Sequence, residues 1–239
     1  MVRKGSNTTT TTTAKSAPAT KQAESVRKKR KNDEDKVQPH IKKSSSPFTS
    51  LQMMFEKYKD EDNLMGPDAI CKFCFDLGLA PESIQVLVLA WQMNADKMGY
   101  FQKEEFVVGL EKLKSYDLVT LKKELIQLTA QVLGDPNKFL ELYKFSFGYS
   151  SELVNKKLLD VNTAAELLEL VLPQSVHTPN FVSFLRSDKH NLKVINKDHW
   201  LCYNEFSKTV KRDLSNYDQQ DAWPLLFDTF VEFVQEQDR

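Results

Sequence analysis

The chain has 239 residues, of which 41% are apolar, and its 33 basic side chains balance its 33 acidic ones. This length allows one or two domains with a buried core. No apolar run approaches the roughly 20 residues of a membrane-spanning helix; the longest, Val86 to Trp91, is expected to be a buried helix. We find no secretory signal, and Val2 excludes the myristoylation motif. The three cysteines lack disulfide-rich spacing, which indicates a reducing compartment.

Residues 1–46 are strongly basic, with 12 Lys/Arg against 4 Asp/Glu, whereas residues 47–239 hold 21 against 29. The first segment contains the run Thr8–Thr13 and almost no apolar residues, so we expect it to be a disordered tail. Within it, Arg27, Lys28, Lys29, Arg30 and Lys31 match the basic run of a nuclear localisation signal, although a solvated charged linker has the same composition. The acidic remainder and the lack of interleaved aromatic residues argue against nucleic-acid binding.

From Pro47 onward the apolar residues recur at helical spacing, as in Leu51, Met54, Phe55 and Tyr58. Sustained alternation of period two is missing, and Gly and Pro punctuate the helices. The sequence therefore predicts an all-α fold of two helical lobes, 47–136 and 137–239, joined near Gly134-Asp135-Pro136.

The segment Asn94 to Glu105 fits the twelve-residue calcium loop in shape. Asn94, Asp96 and Glu105 take ligand positions 1, 3 and 12, and Gly99 takes the sharp turn at position 6. Position 5 is Met98, whose soft thioether replaces the oxygen ligand that Ca²⁺ requires. The companion segment at Met65-Gly66-Pro67 has Ala69 in place of the bidentate glutamate. We therefore predict EF-hand-like helix–loop–helix units without metal, and keep an EF-hand calcium-binding regulatory protein as the alternative.

Cys71 and Cys74 together with His199 and Cys202 form two i, i+3 pairs that could hold zinc. Both pairs fall within helical patterns, and buried cysteines are common in cores, so we predict no zinc. We find no phosphate loop, nucleophile–base arrangement or distinctive carboxylate pair. The sequence therefore predicts no enzyme activity and no cofactor.

Near the end of the chain, turn formers from Ser215 to Asp218 precede Ala222-Trp223-Pro224 and a helical pattern. Asp221 is a candidate cap, and Pro224 is expected in the first helical turn. The small Ala222 beside acidic residues, with Asp228 further on, suggests a shallow notch for a basic side chain. An ordinary capped helix start gives the same pattern.

Short motifs from residue 50 to 234 resemble the defective-in-cullin-neddylation family. In order, these are Met65-Gly66-Pro67, Lys72-Phe73-Cys74, Leu87–Trp91, Met98–Phe101, Lys103–Phe106, Asn196-Lys197-Asp198 with Trp200, Glu205-Phe206-Ser207, Leu214–Asp218 and Ala222-Trp223-Pro224. The resemblance is greatest to the subgroup with a basic N-terminal extension, whose members tend to be nuclear.

The resemblance implies an all-helical potentiating-neddylation domain whose EF-hand-like units bind no calcium. It also implies a non-catalytic partner of a RING ligase, located in the nucleus and also in the cytoplasm. A monomer is the default expectation. The family binds the C-terminal winged-helix region of a cullin through an acidic patch. The matching positions here are Asp198, Ala222 and Asp228.

The family's second surface is an apolar pocket for the N-acetylated first methionine of a conjugating enzyme. The matching positions are Ile70, Val86, Leu87, Leu89, Met98, Phe101, Tyr149, Leu167 and Leu170. Burial of a free α-ammonium costs several kcal/mol, whereas an acetyl amide needs only its hydrogen bonds. Val86, Leu87 and Leu89 are equally compatible with an ordinary core. Leu167 replaces a tyrosine found in some relatives, and Pro67 a larger aliphatic residue.

Overall fold

The structure, a computed structural model, describes residues 46–60, 64–151 and 156–237. The proposed nuclear localisation run, Arg27 to Lys31, lies outside the described residues, as does nearly all of the predicted tail. The described chain is predominantly α-helical with only short strands, which confirms the all-α prediction. None of its helices is long and apolar enough to cross a membrane.

Ten helices follow one another along the described chain. They are α1 (Pro47–Tyr58), α2 (Pro67–Leu77), α3 (Ile84–Met93), α4 (Lys103–Lys112), α5 (Leu118–Gly134), α6 (Pro136–Ser150), α7 (Val161–Val171), α8 (Thr178–Leu185), α9 (Lys197–Thr209) and α10 (Leu225–Gln237). Strand β1 (Leu64–Met65) pairs antiparallel with β2 (Phe101–Gln102), and β3 (Leu158–Asp160) pairs antiparallel with β4 (Val194–Asn196). Each strand lies just before a helix, so each strand pair places the starts of two helices side by side.

Short acidic and amide side chains fix several helix starts. Asp135 accepts hydrogen bonds from the backbone N–H groups of Asn137 and Lys138 at the start of α6, with Pro136 in the first turn. Asp117 caps α5, and Asn196 caps α9 through the N–H of His199 at 2.8 Å. These oxygens satisfy N–H groups that have no partner inside the helix.

The last helix begins three residues after the start expected with Asp221 as the cap. Helix α10 begins at Leu225, so Pro224 precedes the first turn and does not belong to it. The Pro224 carbonyl accepts a hydrogen bond from Phe227 N–H at 2.9 Å, while Asp221 lies in a bend. Proline therefore ends the irregular segment, and its carbonyl begins the hydrogen bonding of the helix.

Helix α6 packs against α3, α5, α7 and α9. The Tyr143 hydroxyl donates to the Trp200 carbonyl at 2.8 Å, and the Trp200 indole N–H donates to the Tyr143 carbonyl at 2.9 Å. The two rings stack at 4.6 Å. Helix α6 therefore contacts helices from both sides of residue 136, and the described residues belong to one compact unit. The division into two lobes at residue 136 stays a prediction.

A second aromatic cluster joins α8, α9 and α10. Phe206 of α9 stacks on Phe227 of α10 at 5.3 Å and meets Trp223 edge-on at 5.6 Å. Phe181 of α8 stacks on Tyr203 at 4.2 Å. Aromatic pairs of this kind add about 0.5–1.5 kcal/mol beyond their burial. This cluster holds the segment around Ala222 against the end of the helical core.

Close packing of α3 and α4 depends on Gly109. A Cβ atom at this position would lie 2.6 Å from the backbone Cα and 2.5 Å from the Cγ of Met93. In contrast, a Cβ at Gly148 of α6 would meet no other atom within 4 Å. A side chain is therefore excluded at Gly109 but has room at Gly148, so the second glycine is a control for the first.

We expect Gly109→Ala to lower the free energy of unfolding by about 1–3 kcal/mol, since the helices must separate. Gly148→Ala should raise it by about 0.4–1 kcal/mol, because alanine restricts the unfolded chain without a clash. Urea denaturation followed by circular dichroism measures both. Equal stability of the two variants would contradict the close approach at Gly109.

Candidate functional site

An apolar cavity of about 340 Å³ opens between α2, α3, the loop before β2, the end of α6, and α7. Eight of the nine predicted pocket residues line it, namely Ile70, Val86, Leu87, Met98, Phe101, Tyr149, Leu167 and Leu170. Its volume falls in the lower part of the range of small-ligand sites. The structure therefore brings together residues that are up to 100 positions apart in the sequence.

Leu89 is the exception, and its place in the pocket stays a prediction. This side chain is fully buried but does not line the cavity. Successive helical residues are rotated by about 100°, so Leu89 lies outside the arc of α3 that presents Ser83, Val86 and Leu87. Leu89 is a core residue.

Contacts between the loop before β2 and the end of α6 shape one wall of the cavity. The backbone N–H of Met98 donates to the Tyr149 carbonyl at 3.2 Å. Gly99 allows the adjacent turn with a φ of 78°. The Tyr149 ring stacks on Phe145 at 5.1 Å. Burial raises the pKa of the Tyr149 hydroxyl to about 12, against the opposing effect of a hydrogen bond from the Gly99 backbone.

Several polar residues in the cavity wall were missed by the sequence analysis. Ser83 and Ser150 line it, and the hydroxyl oxygen of each is buried without a hydrogen-bond partner among the described residues. Ser83 is the N-cap residue of α3 but makes no side-chain cap bond. The position of Ser83 before a helix could have indicated a buried hydroxyl at the start of α3. Nothing in the sequence distinguishes Ser150, at the end of α6, from an ordinary helical serine.

The calcium-like loop uses its candidate ligands for other contacts. The Glu105 carboxylate accepts hydrogen bonds from the backbone N–H groups of Asp96 at 3.0 Å and Gln102 at 2.9 Å. Asp96 forms an ion pair of 2.6 Å with Lys156. Phe101 pairs with Met65 across the two short strands. Protein donors thus bind the carboxylates at two of the three candidate ligand positions, Asp96 and Glu105.

The candidate zinc ligands lie on two helices, with Cys71 and Cys74 on α2 and His199 and Cys202 on α9. Burial raises the pKa of the Cys74 thiol to about 11, which disfavours the thiolate that zinc binds. In the part of the chain that the structure describes, no group of three His, Cys, Asp or Glu side chains is placed to hold a metal ion.

The acidic residues near the C-terminus form a separate candidate surface. Residues 213–237 contain six carboxylates and no Lys or Arg. Ala222 is exposed, and the half-buried Asp228 accepts a hydrogen bond of 2.7 Å from the Tyr217 hydroxyl. Burial and this bond raise the pKa of Tyr217. The hydroxyl therefore stays protonated and fixes the position of the Asp228 carboxylate.

Asp198, the third predicted residue of this surface, is exposed in the first turn of α9. Phe206, eight residues further along α9, packs on Trp223 beside Ala222. Eight residues of helix correspond to about 12 Å. Asp198 thus lies on the helix that supports the Ala222 segment but at the far end from that contact, and the Cys202 thiol approaches its carboxylate at 3.9 Å.

The fold and its two candidate surfaces define an all-α protein with an apolar cavity and a distinct acidic region. Residues 120–233 match the sequence profile of a domain described as cullin binding. DCN1-like protein 2 of Dictyostelium discoideum is 48% identical over 97% of this chain and 94% of its own length. Human DCN1-like protein 4 is 38% identical over 82% of this chain and 67% of its own length. Bovine DCN1-like protein 5 is 38% identical over 75% of each chain.

The chain belongs to the DCN1-like family. The resemblance inferred from short motifs is thereby confirmed over nearly the whole sequence.

We expect Glu105→Gln to lower the free energy of unfolding by about 1–3 kcal/mol, because the amide NH₂ leaves one loop N–H without its acceptor. Glu104→Gln, the same change at the exposed neighbouring position, should alter it by less than about 0.5 kcal/mol. Thermal unfolding with and without millimolar Ca²⁺ measures both effects. A calcium-dependent rise in the wild-type melting temperature that Glu105→Gln abolishes would restore the calcium-binding alternative.

Proposed function

We propose that this protein promotes cullin neddylation as a non-catalytic component of a RING-type ligase. It binds the cullin through its acidic surface and the N-acetylated end of the conjugating enzyme through its apolar cavity. The presence of these two chemically different surfaces in one DCN1-like chain carries the proposal. The RING subunit takes part through the cullin that both proteins bind.

The acidic surface suits a basic region in the cullin's C-terminal winged-helix domain. Support comes from the match to a cullin-binding domain and from the lack of positive charge in residues 213–237. Tyr217 holds the Asp228 carboxylate in one position, and the exposed methyl group of Ala222 leaves room for a partner side chain. Complementary charges at such a surface mainly raise the association rate and the specificity.

The cavity suits a large apolar side chain that follows a neutral amide. Its walls are predominantly aliphatic and aromatic, and a buried ammonium group there costs several kcal/mol. The buried hydroxyls of Ser83 and Ser150 have no hydrogen-bond partner within the described part of the chain, and each can donate or accept a hydrogen bond. They suit an acetyl amide, which contains both a donor and an acceptor. Acetylation of the conjugating enzyme is therefore the proposed requirement for binding.

Catalytic assistance follows from positioning. By binding both partners, the protein raises the effective concentration of the modifier thioester near the cullin lysine and restricts their relative orientation. The proposed contribution needs no nucleophile or general base from this chain. We also propose nuclear import through Arg27 to Lys31, with action in the nucleus and also in the cytoplasm.

The double variant Asp198→Asn/Asp228→Asn should bind the cullin C-terminal region about tenfold more weakly, or about 1.4 kcal/mol. Asparagine removes the charge at position 228 but keeps an oxygen acceptor for Tyr217, so the fold should persist. Surface plasmon resonance at several salt concentrations measures the loss, which should shrink as salt screens the wild-type interaction.

The matched control is Glu104→Gln/Glu141→Gln, which removes two exposed negative charges that do not belong to the predicted cullin-binding residues or to residues 213–237. It should leave cullin affinity within about twofold of wild type, since screening limits long-range charge effects. Equal affinities for the two double variants would remove Asp198 and Asp228 from the proposed surface.

An acetylated N-terminal peptide of the conjugating enzyme should bind at least about tenfold more tightly than the same peptide with a free amine, because of the cost of burying the ammonium group. Leu170→Ala should weaken the acetylated peptide about fivefold, since Leu170 lines the cavity. Isothermal titration calorimetry measures both effects.

Leu172→Ala is the control, because Leu172 is also half-buried near the end of α7 but does not line the cavity. Its affinity for the acetylated peptide should match wild type. If acetylated and free peptides bind wild type equally well, acetylation is not the requirement for binding.

A further inference from the structure

Two carboxylates stand at the mouth of the otherwise apolar cavity. Glu82, in the segment before α3, and Glu166, on α7, both line the cavity and are both exposed. Among the residues that the structure describes, those that line the cavity include no Lys, Arg or His. The mouth therefore carries net negative charge contributed by two different segments of the fold.

Neither carboxylate is neutralised by an ion pair among the described residues. Arg186 is close enough to Glu166 for a Coulombic interaction, but both of its terminal nitrogens donate to Glu169 at 2.9 Å. The guanidinium is thus held on the next turn of α7. Glu166 and Glu82 remain available for a cation supplied from outside.

We propose that Glu82 and Glu166 recognise a lysine or arginine within the first few residues after the acylated, buried residue of the partner peptide. This inference rests on the proposed function of the cavity. A volume of about 340 Å³ suits one large side chain and its amide, so the following residues must leave through the mouth. An extended chain advances about 3.3–3.6 Å per residue, which places the second to fourth residues beside the glutamates.

The two recognition elements act differently. The cavity selects an apolar first residue by burial, which salt barely affects. The exposed glutamates contribute modest ion pairs that salt screens. A peptide with a neutral residue at the mouth should still bind, but more weakly and with less dependence on salt.

The same carboxylates could instead attract the α-ammonium of an unacetylated peptide. The two possibilities make opposite predictions about which peptide depends on the glutamates. In our proposal the acetylated, lysine-containing peptide depends on them. If they attract the α-ammonium, the free-amine peptide depends on them whatever its side chains.

Four synthetic peptides test the inference, in all combinations of acetylated or free amine with lysine or norleucine at the third position. Norleucine keeps the lysine stem without its charge. Fluorescence polarisation against the full chain gives the four affinities, for wild type, for Glu82→Gln/Glu166→Gln, and for the control Glu141→Gln. Glu141 is exposed on α6 and does not line the cavity.

We expect the acetylated lysine peptide to bind wild type about threefold to tenfold more tightly than the acetylated norleucine peptide. This ratio should fall to about one in Glu82→Gln/Glu166→Gln and stay unchanged in Glu141→Gln. Equal wild-type affinity for the two acetylated peptides would overturn the inference alone. Loss of free-amine binding only, in the double variant, would likewise overturn it, and failure of every peptide to bind would overturn the cavity assignment as well.

Discussion

The reciprocal contact between Tyr143 and Trp200 is the interaction on which the arrangement of both surfaces depends. Each side chain donates a hydrogen bond to the backbone carbonyl of the other residue, and the two rings stack on each other. Buried polar groups are costly when unpaired, so this pair favours one relative placement of α6 and α9. Helix α6 ends at the cavity with Tyr149 and Ser150, while α9 carries Asp198 in its first turn and contacts Trp223 through Phe206.

The calcium-like loop shows how a metal-binding shape can serve as a wall. In place of an ion, the Glu105 carboxylate joins two loop N–H groups, and the Lys156 ammonium neutralises Asp96. The short β1–β2 pairing then holds Phe101 against the core, and Met98 reaches the cavity. The soft thioether that disfavours calcium is suited to an adaptable apolar surface. The fixed loop geometry is thus retained for a different use.

Helical periodicity predicted the fold class, because a stripe of apolar residues every three or four positions has few other solutions. Eight cavity residues came from the family resemblance. Leu89 came from it too but is buried outside the cavity lining, because an apolar helical pattern does not separate core from cavity wall. The loop's departure from calcium ligands was visible at Met98. The contact of Lys156 with Asp96 was not visible in the sequence, since the two residues are sixty positions apart. The burial of the Ser83 and Ser150 hydroxyls without a partner among the described residues also depends on tertiary packing, which single-residue patterns do not encode.

The two surfaces use forces of different range, and this difference fits a protein that positions two partners. Charge at the acidic surface acts over about a Debye length and steers an approaching partner before contact. Apolar burial in the cavity acts only at contact, so it rewards correct shape and depth. A scaffold with two purely electrostatic surfaces would exchange partners between them, whereas unlike surfaces bind unlike partners. In the proposed function, the packing of α6 against α9 sets the spacing of the two surfaces, so that two binding events give one defined geometry.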